Sequence, residues 1–328
     1  MTVPFFSRRI SRSHQPGSRT GTPSWFLLLL LLPLLGCSSP RDPVAARGSF
    51  GPFIAVMAAY GPELAANDDV FLQGGKAVFT NVIHGIPFRH VRFEGRDLLL
   101  FPSGVSMVNA AMNTQLALDR YPISHVLFAG IAGGINPDRH IGDVVIPEHW
   151  FHHSEAAYLN PEADGSGYVM PEYFKPPYGH FQFIFPDHVW AIREGMSRPE
   201  RQASFEADPQ LLQWAREAIP QVPPMHFRGR RAEVRVGGNG IAGPVFMDNR
   251  EYRKWAFSVW KAVCLDMEST AIAQVCWANR KPFLIVRSLS DLAGGQEGQN
   301  DADHTEVPVA RHASVVLREV VRRLPQGR

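Results

Sequence analysis

Residues 265–295, LDMESTAIAQVCWANRKPFLIVRSLSDLAGG, constrain this 328-residue chain more than any other stretch. They read as a strand end delivering a carboxylate, a helix, a wholly apolar strand, and a second carboxylate at that strand's end. Residues 263–265 are short and apolar, and residues 269–278 set Ile272, Val275, Cys276 and then Asn279 at helical spacing. Residues 283–286, FLIV, form the continuous apolar run of a strand buried on both faces in a parallel sheet. Glu268 and Asp291 are then expected to leave the carboxyl edge of neighbouring strands. In open α/β sheets ligands bind along that edge.

Other segments supply more of such a sheet. Residues 53–57 predict a short buried strand, and residues 58–64, AAYGPEL, the loop leaving it, with Glu63 inside that loop. IHGIPFRHVRFEGRDLLLF alternates like strands, with reversals at 85–87 and 94–96. Ser103, Gly104 and Val105 open a helix expected to turn Val105, Val108, Met112, Leu116 and Leu118 to one side. Residues 125–128 read as a buried strand ending in AGIAGG, and residues 142–146 as another. Residues 307–324 predict an amphipathic closing helix with Val309, Ala313, Val316, Val320 and Leu324 inward.

The front end is not part of the globule. Arg8, Arg9, Arg12 and Arg19 form a basic region without acids, residues 25–35 are an apolar run, and Leu34-Leu35-Gly36-Cys37 follows. The run is short for a membrane span. Residues 1–36 resemble a bacterial lipoprotein signal, with Cys37 the lipidated first residue and 37–50 a polar tether. An ordinary signal, or an N-terminal anchor with an incidental cysteine, is the alternative. The expected location is outside the cytoplasmic membrane, anchored by lipid and facing the periplasm. The chain holds 33 basic and 31 acidic side chains, but four of the arginines lie in residues 1–36, leaving 29 against 31. Nothing there forms the clustered basic face that nucleic acid requires. Cys264 and Cys276 read as small core residues. His149, His152 and His153 lack a third-ligand pattern and read as a polar loop, so no metal and no organic cofactor is expected.

The pairs Met267-Glu268 and Ser290-Asp291, at this separation, resemble the nucleoside phosphorylase and nucleosidase superfamily, in particular the methylthioadenosine/S-adenosylhomocysteine nucleosidases. SGV at 103–105, GIAGG at 130–134, GDVVIP at 142–147 and GPVFMDN at 243–249 agree in order. MDNREYRKW, LDMEST and SLSDLAGG are similar to the plant bark and vegetative storage proteins of the same superfamily. The likeness spans residues 53–328 except about 150–225, an aromatic, proline-rich insertion read as a surface loop or a lid over the substrate's 5′ side. It implies a single α/β domain over 51–328, with a mostly parallel, twisted central sheet flanked by helices, acting on purine nucleosides as a homo-oligomer.

Cleaving an N-glycosidic bond needs a protonated leaving base, relief of positive charge on the sugar, and a nucleophile on the opposite face. Carboxylates supply all three. The resemblance implies that Asp291, beside Ser290, protonates or hydrogen-bonds purine N7. It implies that Glu268, beside Met267, holds the ribose hydroxyls and that Glu63 takes a proton from water. Ser103 would position water or sugar, and Phe246 and Met247 would pack the base. Plainer readings stand beside these: Glu63 as a solvated turn residue, Glu268 and Asp291 as caps, Phe246 and Met247 as core. Phosphorylases of the superfamily hold phosphate with an arginine and a serine where this chain has Phe128 and Ile131, so water is the expected nucleophile. Phosphorolysis using Arg228, Arg230 or Arg231, and a non-catalytic storage-like role, are the alternatives. Ser106, Pro62 and Ile131 depart from the usual nucleosidase pattern.

Overall fold

The computed structural model describes residues 51–300 and 302–326. The signal, the Cys37 lipidation site and the tether lie outside the described residues. Strand β1 (Phe53–Ala58) is buried throughout and leads into helix α1 (Gly61–Phe71). An antiparallel meander follows, β2 (Phe79–Ile83), β3 (Ile86–Phe93) and β4 (Arg96–Pro102). Then come α2 (Met107–Arg120), the long β5 (Ile123–Gly134), β6 (Val144–Ile146) and β7 (His149–His152). Two small ladders, β8 (Ala156–Tyr158) with β9 (Ile184–Pro186) and β10 (Val189–Ala191) with β11 (Glu200–Gln202), stand apart from the main sheet. β12 (Phe205–Glu206) rejoins that sheet, and α3 (Pro209–Ala218) follows with Asp208 as its cap. The chain continues through the hairpin β13 (His226–Phe227) and β14 (Arg230–Arg231), then β15 (Val234–Val236) and β16 (Asn239–Ala242). It ends with α4 (Arg250–Trp260), β17 (Ala262–Asp266), α5 (Ser269–Ala278), β18 (Phe283–Asp291) and α6 (Ala302–Val321).

Twelve strands make one sheet, ordered β12-β7-β16-β17-β5-β1-β4-β3-β2, with β18 along β5 and β6 between β18 and β15. Its centre, β4-β1-β5-β18, is parallel, as the apolar runs predict, and the meander at one margin is antiparallel. All nine residues of β18 are buried. Full burial of each Leu, Ile or Val there contributes about 1.5–3 kcal/mol. α6 turns Val309, Ala313, Val316 and Val320 inward, as its periodicity predicts, and Leu324 just beyond it is buried as well.

β5 has three partners on two edges. β1 pairs with its first half, up to Met57 opposite Phe128. β17 pairs with its last residues, Leu265 opposite Gly133, and runs antiparallel to it. β18 covers Val126 to Gly133 and overlaps both registers, so β1 and β17 share the opposite edge. Their carboxyl ends therefore face one another across residues 129–132. This corrects the expectation that Glu268 and Asp291 leave neighbouring strands: β5 stands between β17 and β18.

Two local readings also change. Glu63 lies in the first turn of α1 rather than in a loop, because Gly61-Pro62 opens a helix: proline there gives up an N–H that would have no intrahelical partner. In α2 the predicted apolar side holds only in part: Leu116 and Leu118 pack half-buried against the core. Val108 and Met112 are 69% and 62% exposed, whereas Ala110, Asn113, Thr114 and Ala117 are buried. Small residues suit that face because α2 packs on α5, and Asn113 Nδ2 donates to Ser103 O at 2.8 Å.

Candidate active site

A cavity of about 400 Å³ opens where the ends of β1 and β17 meet, lined by Glu63, Glu268 and Asp291 together. Each carboxylate is buried by a different element. Glu63 accepts from Ala59 N at 2.6 Å and from Ile131 N at 2.7 Å, so it occupies β5 backbone in the gap between the two facing strands. Glu268 accepts from Ser106 N at 2.7 Å. Asp291 Oδ1 accepts from Ala293 N at 2.7 Å, and Oδ2 from the Ser290 hydroxyl at 2.8 Å. Asp291 thus braces the loop after β18 and still faces the cavity.

Glu268 stands at the start of α5 without capping it. Asp266 performs that role: its Oδ1 accepts from Glu268 N at 2.9 Å and Ser269 N at 2.8 Å. Met267, Ser290, Phe246 and Met247 all line the cavity. Phe246 is 66% exposed, which removes the core reading for that side chain. Ser103 is buried, with its hydroxyl 3.1 Å from Gly104 O and 3.4 Å from Ala58 O, and it does not line the cavity. No residue of the 150–225 segment lines it either. Tyr178 and Phe181 from that segment pack instead around Tyr252, Trp255 and Trp260. His152 meets Gln274 and His153 meets the Tyr252 hydroxyl, each at 2.8 Å, away from the acids.

A family model described as the phosphorylase superfamily matches residues 53–324. The chain belongs to the phosphorylase superfamily. Among curated members, a 5′-methylthioadenosine/S-adenosylhomocysteine nucleosidase of Marinomonas is 30% identical over 252 residues, covering 75% of this chain and 92% of that one. One from Tolumonas auensis is 28% identical, covering 83% and 99%. Among solved structures, a Helicobacter pylori nucleosidase of that name, bound to butyl-thio-DADMe-Immucillin-A, superposes with a TM-score of 0.63. It is 19% identical and covers 84% of this chain and all of that one. Futalosine hydrolase from the same organism gives 0.61 at 18% identity, covering 83% and 98%, so the shared fold spans the whole of these neighbours.

The centre of this phosphorylase-superfamily site is a residue the sequence reading passed over. Arg287, fully buried on β18, places Nε 2.7 Å from Asp266, Nη2 3.4 Å from Glu268 and Nη1 3.5 Å from Glu63. Its guanidinium lies over the Phe128 ring, 3.9 Å from the centroid. A charge inside an apolar strand was the available signal, since a buried arginine needs carboxylate company. Gly130 completes the arrangement: a Cβ there would come within 2.2 Å of both Glu63 Oε1 and Arg287 Nη1.

One guanidinium among three carboxylates leaves an excess of negative charge. Burial, reinforced by Asp266, pushes Glu268 up to about 7 against the pull of Arg287. Burial also raises Glu63, opposed by Arg287 and its two backbone donors. Asp291 is raised by burial, opposed by Ala293 N and Ser290. The site thus offers acids that hold protons more tightly than carboxylates in water, as acid–base work near neutrality requires. None of the described residues lining the cavity is lysine or arginine. Arg230, on β14, is paired with Asp143.

Proposed function

We propose that this protein hydrolyses the N-glycosidic bond of purine nucleosides, adenine nucleosides such as methylthioadenosine among them. The observation that carries the reading is the convergence of Glu63, Glu268 and Asp291 on one cavity around Arg287. The curated relatives carry methylthioadenosine and S-adenosylhomocysteine in their names, and they match over most of their length. In the proposed reaction water oxygen adds to C1′ and its proton passes to Glu63. The C1′–N9 bond breaks with its electron pair leaving on the base, which takes a proton at N7 from Asp291. Glu268 accepts hydrogen bonds from the ribose hydroxyls, and its charge stabilises the cationic sugar. Arg287 keeps Glu63 and Glu268 oriented. Phe246 and Met247 offer the base an apolar surface.

The test is release of free base from methylthioadenosine, adenosine and inosine, with and without phosphate. Release without phosphate, lost in Glu63→Gln and Asp291→Asn, is expected. Release only with phosphate would make the protein a phosphorylase, and saturable binding without release a non-catalytic nucleoside binder.

The proposal extends to cellular setting: an exported lipoprotein anchored through Cys37 and facing the periplasm, supported by the basic, apolar and LLGC sequence of the front end. Among the described residues no helix is long and apolar enough to cross a membrane. Metabolic labelling with a fatty acid, absent in Cys37→Ser, checks the anchor. A homo-oligomer is supported by exposed apolar side chains, Val108 and Met112 on α2 and Val105, which lines the cavity, and a monomeric mass in solution would refute it.

A further inference from the structure

One polar pair in the cavity wall has no part in the hydrolytic roles above. Tyr60, the residue preceding α1, donates its hydroxyl to Glu306 Oε2 at 2.5 Å. Both side chains line the cavity, and both are half-buried. Glu306 stands about one turn into α6. The Thr305 hydroxyl fixes that turn to β18 by donating to Ser290 O at 2.5 Å. Burial and the negative charges of Glu306 and Glu63 raise Tyr60, so its hydroxyl stays a donor. Glu306 Oε1 has no protein partner among the described residues and remains able to accept.

A bound nucleoside presents four things to its site: the base edge, the ribose diol, the face of C1′ opposite the base, and the 5′ end. Asp291, Phe246 and Met247 take the first, Glu268 the second and Glu63 with its water the third. Of the lining left without a role, which includes Val105, Val245 and Asn300, Tyr60 and Glu306 are the bonded polar pair, and their wall with Ala302 suits the fourth. Resting on the nucleosidase reading, we propose that Tyr60 and Glu306 form the 5′ subsite and select nucleosides whose 5′ carbon bears a hydrogen-bond donor, a hydroxyl or an amine, over those ending in an alkyl thioether. A carboxylate accepts from O–H or N–H. Against a thioether it is desolvated with nothing in return, and a site built to hydrogen-bond a substrate group rejects the analogue lacking it far more strongly than an apolar pocket rejects an extra methyl.

The experiment measures kcat/KM of the full-length chain for adenosine, 5′-amino-5′-deoxyadenosine and 5′-methylthioadenosine, which differ only at the 5′ carbon. The wild type is expected to favour the first two by roughly tenfold or more. Glu306→Leu should collapse that preference while sparing the thioether. Glu306→Gln, which keeps the shape, should lose the amine and retain the hydroxyl, and Tyr60→Phe should weaken both. Discrimination between adenosine and inosine should stay unchanged, because the base end is untouched. A merely structural pair would lower all three substrates together and leave their ratios fixed; that result, or a wild-type preference for the thioether, overturns the subsite alone. No base release from any nucleoside by the wild type would overturn the nucleosidase reading and the subsite with it.

Discussion

Replacing Arg287 with leucine keeps an apolar side chain over Phe128 but removes the cation that stands among Glu63, Asp266 and Glu268. The wild-type guanidinium is fully buried, so solvent screens its pairing with the carboxylates little. Charge left unpaired in such a place costs about 3–5 kcal/mol. The cluster can escape by binding protons. At pH 7 a carboxyl with an ordinary value of 4.5 gives up about 3 kcal/mol for each proton it must take. The two routes agree, and Arg287→Leu should lose about 3–5 kcal/mol at pH 7. The sign with pH follows from the direction of the shifts. A carboxyl raised in the folded state contributes most below its unfolded value, and that contribution is lost as pH rises through the folded value. Glu268, at about 7, already gives the wild type this dependence, with Glu63 and Asp291 acting in the same direction. In the variant the carboxyls near residue 287 rise further, so the gap between the two proteins should narrow to about 1 kcal/mol at pH 5. Urea unfolding at pH 5, 6, 7 and 8, followed by tryptophan fluorescence, reads this directly. A loss below about 1 kcal/mol at pH 7, or an equal loss at pH 5 and pH 8, would refute the reasoning.

Gly130→Ala would push a methyl into Glu63 and Arg287, so base release should fall about 100-fold with a stability loss of only about 1–3 kcal/mol. Activity and urea midpoint measured on one preparation separate the two effects. If Glu268 must be ionised to stabilise the sugar, kcat/KM should climb with pH toward about 7 and turn down where Asp291, itself raised, gives up the proton it donates. A profile that is flat from pH 5 to pH 8 would exclude that role. Phe246→Ala should leave stability within about 0.5 kcal/mol, because the ring is mostly exposed, while KM rises; a lowered Tm with unchanged KM would assign the ring to packing instead.

What the sequence revealed follows from how each element is buried. β1, the first four residues of β18 and residues 126–129 of β5 are covered on both faces, so their apolar runs are unbroken and could be read directly. α6 is half covered, and its period shows it. α2 followed its period only at Leu116 and Leu118, because the most buried part of its face is small and polar, set by close approach to α5 and by the Asn113 bond to Ser103 O. The carboxylates Glu63, Glu268 and Asp291 were visible as residues. What pattern alone did not show was how they are held: Arg287 reaches Asp266 and Glu268 across 21 and 19 positions but also meets Glu63 from the far end of the chain, and Ile131 N reaches Glu63 across 68. The Gly61-Pro62 pair read as a turn because proline at a helix start and proline in a loop look alike locally.

The meeting of β1 and β17 on one edge of β5 also bears on how this protein comes to be active. Glu63 arrives with the first strand of the sheet, whereas Glu268 and Asp291 arrive some two hundred residues later. Asp291 and one oxygen of Glu63 find local donors, but Glu63 and Glu268 do not share Arg287, and the three do not line one cavity, until β5 has received strands on both sides. Catalytic competence is therefore a late event in synthesis and folding: a nascent chain lacking β17 and β18 holds Glu63 without Arg287, and a fragment lacking β1 holds the reverse. Turnover in a preparation counts the molecules that have closed the sheet from both ends.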